Sequence, residues 1–222
     1  MSEHSLTYAS LVPDATHTAV RRERARPLSP EERLDKLVDA TLNLLREHGR
    51  AVTTRQIAEA AGVAEGTIFR VVESKEELVE LAITRAFEPG ALADRILEID
   101  RDQPLEARLL KLASILQQRF RATFELMKKV GMVRPADHVH DSPEAVAVRE
   151  RMQALLESVV GADAARLSVP ARDLVHRLRL LTFAGSHPHI TDGVMLTPDE
   201  IVFTLLHGLL RPEDSDRQKG PA

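Results

Sequence analysis

An all-α fold, with a small N-terminal module and a larger helical body, is predicted by three features of the 222-residue sequence. Helix-capping signals recur along it, apolar residues recur at steps of three and four, and no stretch alternates with period two long enough to make a sheet. Residues 1–28 have no helical period, end in the basic run Arg21-Arg22-Glu23-Arg24-Ala25-Arg26, and read as a disordered basic N-terminal arm. Ser29, Pro30 and Glu32 make a capping box, after which Leu34, Leu37, Val38, Thr41, Leu42 and Leu45 follow helical spacing until Gly49. Thr53 and Gln56 open a short helix that ends at Gly62, a second short helix follows, and Ser74 and Glu77 open another that Pro89-Gly90 closes. Residues 29–88 thus divide into four helices.

The body, 89–210, differs in scale. From Pro104 the apolar positions Leu105, Leu109, Leu112, Leu116, Phe120, Phe124 and Met127 predict a helix of roughly 40 Å. Ser142-Pro143 opens another that Gly161 follows, Pro170 begins one that runs to about Ala184, and Thr197-Pro198 with Glu200 caps a last helix through Leu210. Residues 211–222 read as a polar tail.

Composition removes several function classes. The chain has no cysteine, which excludes a disulfide framework, thiolate zinc sites and cysteine nucleophiles. No run approaches the ~18 to 20 apolar residues that span a bilayer, and the N-terminus lacks the apolar core of a secretion signal, so no membrane partner and a cytoplasmic location are expected. Aromatic residues make up 3%, which disfavours β-sandwiches and stacking platforms for single strands. The net charge is −4 and the pI near 6.2, without the strongly basic balance usual in nucleic-acid binders.

The most informative stretch is Thr53 to Lys75, TTRQIAEAAGVAEGTIFRVVESK. Two short helices meet across Ala61-Gly62-Val63, where glycine can take the left-handed conformation a sharp turn demands. Ile57, Ala58 and Ala61 face inward on the first, with Val63, Ile68 and Val72 meeting them from the second. Glu65, Gly66, Thr67, Phe69 and Arg70 are left near the outward face. That is helix-turn-helix geometry, whose second helix enters the major groove.

These residues resemble the TetR (tetracycline-repressor-like) transcriptional regulators. The resemblance rests on Thr54-x-x-Ile57-Ala58, Ala61-Gly62-Val63, Gly66-Thr67-Ile68-Phe69-Arg70 and Ser74-Lys75-Glu76-Glu77-Leu78, and covers roughly residues 30–88. It implies a three-helix helix-turn-helix module that binds double-stranded DNA, followed by a body that takes a small effector and dimerises. Thr53 and Thr54, at a helix N-terminus, suit a phosphate. Arg55 matches a position that reaches a guanine edge, Thr67 and Arg70 are the foremost base or phosphate readers, and Gly66 allows close backbone approach. Lys75 matches a phosphate clamp. The basic arm is either a solvated leader or an arm that reaches DNA.

Three positions depart from the family. Phe69 stands where Tyr is frequent, so a phenolic hydrogen bond to phosphate is missing. Val71 and Val72 replace a frequent aromatic pair, which thins the packing. Glu65 places a carboxylate at the groove face, either accepting from cytosine N4 or simply complementing a helix N-terminus. Residues 1–88 carry 12 basic and 15 acidic groups, a net of −3. DNA binding then requires the acidic groups at Glu31, Glu32, Asp35, Asp39, Glu76, Glu77 and Glu80 to lie away from the groove.

In the body, Phe120, Phe124, Met127 and Phe183 are either the lining of an effector pocket or plain core. With so few aromatics a pocket would be mostly aliphatic, suited to a hydrophobic effector. His138-x-His140-Asp141 and His187-x-His189 with Asp192 could in principle hold zinc or nickel, but loop positions beside proline are polar anyway, and no metal or cofactor is expected. His176 reads as a partly buried structural histidine. No nucleophile elbow, phosphate loop or HExxH helix suggests an enzyme. The expected function is a ligand-responsive repressor, binding a palindromic operator as a homodimer through the helices at 170–185 and 197–210. The alternative is an all-α small-molecule or metal-binding protein without DNA-binding activity.

Overall fold

A computed structural model describes residues 29–132 and 142–208; His138, His140, Leu209 and Leu210 and the two terminal tails lie outside the described residues. Helix α1 (Pro30–His48) begins with the Ser29–Glu32 capping box, complete in both directions, and buries Leu37, Val38, Thr41, Leu42 and Leu45. Gly49, at φ 61°, stops it. Helix α2 (Thr54–Ala61) has a second complete box between Thr53 and Gln56 and ends at Gly62 in the left-handed conformation, with Val63 N–H donating to Ala58 O at 2.9 Å.

The segment expected to be a second short α-helix is instead a 3₁₀ helix, Glu65–Arg70. Its bonds run three residues apart, Thr67 N–H to Ala64 O at 2.8 Å and Val71 N–H to Ile68 O at 3.0 Å. A run of six residues containing Gly66 and the β-branched pair Thr67-Ile68, with no side-chain N-cap, has little to gain from i→i+4 bonding. Helix α3 (Lys75–Phe87) starts at Ser74, whose hydroxyl accepts from Glu77 N–H. The Glu77 carboxylate reaches Glu73 N–H at 2.6 Å, so the expected box is displaced by one residue.

Pro89-Gly90 closes α3 but also opens α4 (Gly90–Leu97), a helix the capping signals do not announce. Helix α5 (Leu105–Val130) is the 26-residue element of the body, followed by α6 (Pro143–Val160), a 3₁₀ turn Gly161–Arg166, α7 (Ala171–Gly185) and α8 (Pro198–His207). The described residues contain no strand.

Two apolar cores result. The first joins α1, α2, the 3₁₀ helix and α3 around Leu37, Leu45, Ile57, Ile68 and Leu78; the second joins α4 to α8 around Ile96, Leu112, Leu156, Leu178 and Ile201. Helix α5 belongs to both: Leu109, Leu112, Ala113, Ile115 and Leu116 lie in the body core, whereas Leu126 and Val130 lie in the N-terminal one. Polar ties reinforce that second docking. Arg50 Nε donates to Val130 O at 3.0 Å, and Lys129 Nζ donates to Arg46 O at the end of α1. His176 is exposed on α7 rather than partly buried, because its neighbours Leu174, Val175 and Leu178 take the inward positions.

Candidate nucleic-acid interface and body cavity

The helix-turn-helix packs as its apolar spacing requires. Ile57, Ala58, Ala61, Ile68 and Val72 are buried, and Val63 is half-buried beside them. Arg55, Glu65, Gly66, Phe69 and Arg70 are left exposed, with Thr67 half-buried. A 3₁₀ helix has three residues per turn, so Thr67 and Arg70 stand on one row and Gly66 and Phe69 on the next. Gly66 has nothing within 4 Å of where a Cβ would be, leaving its backbone open to approach. Arg55 and Arg70 have no hydrogen bond or ion pair among the described residues.

The other candidates are engaged within the module. Thr53 spends its hydroxyl on the α2 cap, bonded to Gln56 Oε1 at 2.9 Å. Thr54 Oγ1 donates to Glu65 Oε1 at 2.5 Å, a link across the turn that occupies both groups. Lys75 is half-buried, its Nζ 3.8 Å from Glu76 Oε1.

Several of the acidic residues are answered locally. Arg85 on α3 reaches Asp35 Oδ1 at 2.5 Å, Asp39 Oδ1 at 3.1 Å and Glu88 Oε2 at 3.3 Å, and Arg50 pairs with Glu80 at 2.8 Å. The hydrogen bond from Arg85 to Asp35, followed by the charges of Glu88 and Asp39, raises the guanidinium pKa against the opposing effect of burial. These contacts bind α3 to α1.

All four proposed effector-contacting residues, Phe120, Phe124, Met127 and Phe183, line one cavity of about 810 Å³. Phe183 of α7 meets Phe120 and Phe124 of α5 edge-on, at centroid separations of 5.3 and 5.0 Å, and His187 packs on Phe124 at 4.6 Å. The Nδ1 atom of His187 is buried without a hydrogen-bond partner among the described residues. The ring of His189 lies 5.8 Å from that of His187, and no three metal-ligating side chains come together among the described residues. Thr84, Phe87, Glu88 and Pro89, at the end of α3, form part of the same wall. Sequence reasoning missed Arg119 and Arg179 in this wall, because a cation on an amphipathic helix reads as a solvated face. Arg119 Nη2 donates to Ala86 O at 2.5 Å and Glu88 O at 3.1 Å, closing the last turn of α3.

An all-α protein with an N-terminal helix-turn-helix and a separate cavity in a helical body is the class that fold and site define. The model of the tetR family of bacterial regulatory proteins matches residues 37–82, and through this module the chain belongs to that family. The HTH-type transcriptional repressor KstR of Rhodococcus jostii is 38% identical over 93 residues, which cover 41% of each protein. The chain spans less than half the length of the curated relatives it matches. Two solved structures share the fold. The fatty acid degradation regulator FadR of Bacillus halodurans aligns over 83% of this chain and 98% of its own, at 18% identity and a TM-score of 0.53. The regulator FadR of Bacillus subtilis, solved with stearoyl-CoA, aligns over 79% and 99%, at 14% identity and a TM-score of 0.52. No helix among the described residues is long and apolar enough to cross a membrane.

Proposed function

We propose that this chain is a non-catalytic, ligand-responsive transcriptional regulator that binds a palindromic operator as a homodimer, represses from it, and releases it when a small hydrophobic effector enters the body. The observation that carries the DNA-binding reading is the unpartnered pair Arg55 and Arg70, exposed on a helix-turn-helix whose several carboxylates are paired on α1 and α3. Thr67 and Arg70 read base edges or phosphates, Gly66 and Phe69 approach the backbone, and Thr53, Thr54 and Lys75 contact phosphates once their internal bonds exchange for DNA. Glu65 meets cytosine N4 or stays on Thr54.

The dimer forms through α7 and α8, where Leu180 and Phe203 are 55% and 54% exposed. Two recognition segments then meet half-sites one helical turn, or a multiple of it, apart. The effector contacts Phe120, Phe124, Met127 and Phe183. Because the end of α3 belongs to the same cavity, occupancy alters the setting of α3 and so the spacing of the recognition segments. The stearoyl-CoA of the B. subtilis relative supports an apolar effector of this size.

The test is selection of bound duplexes from a random library by the purified protein, with Arg70→Ala and Thr67→Ala in parallel. A palindromic consensus that the variants relax or lose is expected. No enrichment at low salt, from folded dimeric protein, would overturn the DNA reading. It would favour a ligand-binding protein without DNA activity, a role in which the Thr54–Glu65 link is purely structural.

A further inference from the structure

The wall of the cavity is mostly apolar, yet it includes Arg119, Arg149 and Arg179 against two carboxylates, Glu88 and Glu144. Glu88 already accepts from Arg85 Nε at 3.3 Å. Glu144 is exposed in the first turn of α6, where a helix N-terminus favours negative charge. Neither is paired with Arg119 or Arg179. Arg119 donates only to the carbonyl oxygens of Ala86 and Glu88, and Arg179 Nη1 reaches only Gln153 Oε1, at 3.4 Å. Both arginines are half-buried, and burial followed by repulsion from Arg46 lowers the pKa of Arg119. A guanidinium stays charged in proteins, so the wall holds two partly desolvated cations that no carboxylate of the described residues answers. The Phe120, Phe124 and Phe183 cluster of the same cavity is purely apolar.

Building on the effector reading above, we propose that the effector is an amphiphile with an anionic head, its carboxylate or phosphate held by Arg119 and Arg179 and its tail packed on Phe120, Phe124 and Phe183. A cationic or neutral ligand would leave both guanidinium groups uncompensated; an anion recovers their desolvation cost. Arg119 also makes the head group a signal. Its Nη2 holds the carbonyls that end α3, and a charged oxygen is a stronger acceptor than a carbonyl. The head group therefore competes with Ala86 and Glu88 for one guanidinium.

The experiment is calorimetric titration of the full chain with decanoate, decanoyl-coenzyme A, methyl decanoate and decyltrimethylammonium, below their micelle concentrations and at matched ionic strength. At least one anion is expected to bind about tenfold or more tightly than the neutral ester, with the cation weakest. Arg119→Gln and Arg179→Gln should each bring the anion toward parity with the ester, and Arg→Lys at either position should keep part of the preference. Unchanged thermal melts separate these effects from misfolding. Lowering the pH through the decanoate pKa weakens decanoate and spares the phosphates of the thioester, which tells the two anion sources apart. Equal binding of ester and anions, preference for the cation, or an anion preference that survives both glutamine variants overturns the anionic head and leaves the effector cavity standing. Absence of binding by all four probes overturns the cavity reading as well.

Discussion

Arg70 is exposed and makes no internal bond, so its removal should cost recognition and nothing else. Arg70→Ala is expected to weaken operator binding by about 1 to 3 kcal/mol with an unchanged melting temperature, read by fluorescence anisotropy and calorimetry. Glu65→Gln removes a negative charge beside the groove face, and should raise affinity for random-sequence DNA at low salt more than at high salt. A salt-independent gain would point instead to loss of the Thr54 link. Arg108 tests the body. It is buried, donates to Val159 O at 2.6 Å and Val160 O at 3.2 Å, and pairs with Asp163, so Arg108→Ala should cost about 3 kcal/mol in urea unfolding. The Asp163 carboxyl is held below the ordinary carboxylate range by the hydrogen bond from Arg166 and then by the charges of Arg166 and Arg108. A carboxyl depressed in the folded chain stabilises it fully above the unfolded pKa near ~4, and that contribution is lost as pH falls through the folded value. Asp163→Asn should accordingly lower stability at pH 7 while narrowing its gap to the parent at acid pH; an equal loss at both would contradict this. Among single residues, the outward set from Glu65 to Arg70 was legible because inward apolar positions leave few alternatives. Arg119, Arg179 and the exposed His176 were not, since which side of a helix faces a cavity is decided by packing from other helices.

At the scale of elements, capping chemistry was the most legible part of the fold. The boxes at Ser29, Thr53 and Thr197 form as their spacing implies, because each is settled within four residues. The 3₁₀ form of Glu65–Arg70 and the helix Gly90–Leu97 were not legible: the first is a balance of weak local terms, and in the second Pro89-Gly90 serves as both a stop and a start. The junction at Gly49 shows what an element boundary can hold. A Cβ there would lie 2.5 Å from Lys129 O, backbone against backbone, at a φ of 61°. At Gly62, φ is 65° and the nearest atom is the movable Lys36 Nζ at 3.9 Å. Gly62→Ala should thus cost about 1 kcal/mol, the left-handed strain alone, whereas Gly49→Ala should cost about 2 kcal/mol or more, because α5 must shift. Chemical denaturation of the two variants compares them directly, and equal costs would argue against tight docking of α5 on α1.

Across the whole molecule, the exposed apolar side chains of α7 and α8 set the test of assembly. Phe203→Asp and Leu180→Asp are expected to shift the chain to a monomer in sedimentation and, through that alone, to weaken operator binding. A variant that stays dimeric with full DNA affinity would move the interface elsewhere. A different consequence follows from α5, whose Leu126 and Val130 complete the N-terminal core while its first half builds the body. A segment of the first 88 residues expressed alone would lack both side chains and the acceptor of Arg50, leaving apolar surface of α1 and α3 open to water. The two cores should therefore melt in one transition, with calorimetric and van't Hoff enthalpies in agreement. Amides of α1 and of α5 should exchange with deuterium through the same opening event. A continuous rod frozen into both cores leaves neither half able to come loose on its own, so a signal must travel as a tilt of the rod rather than as the parting of two domains.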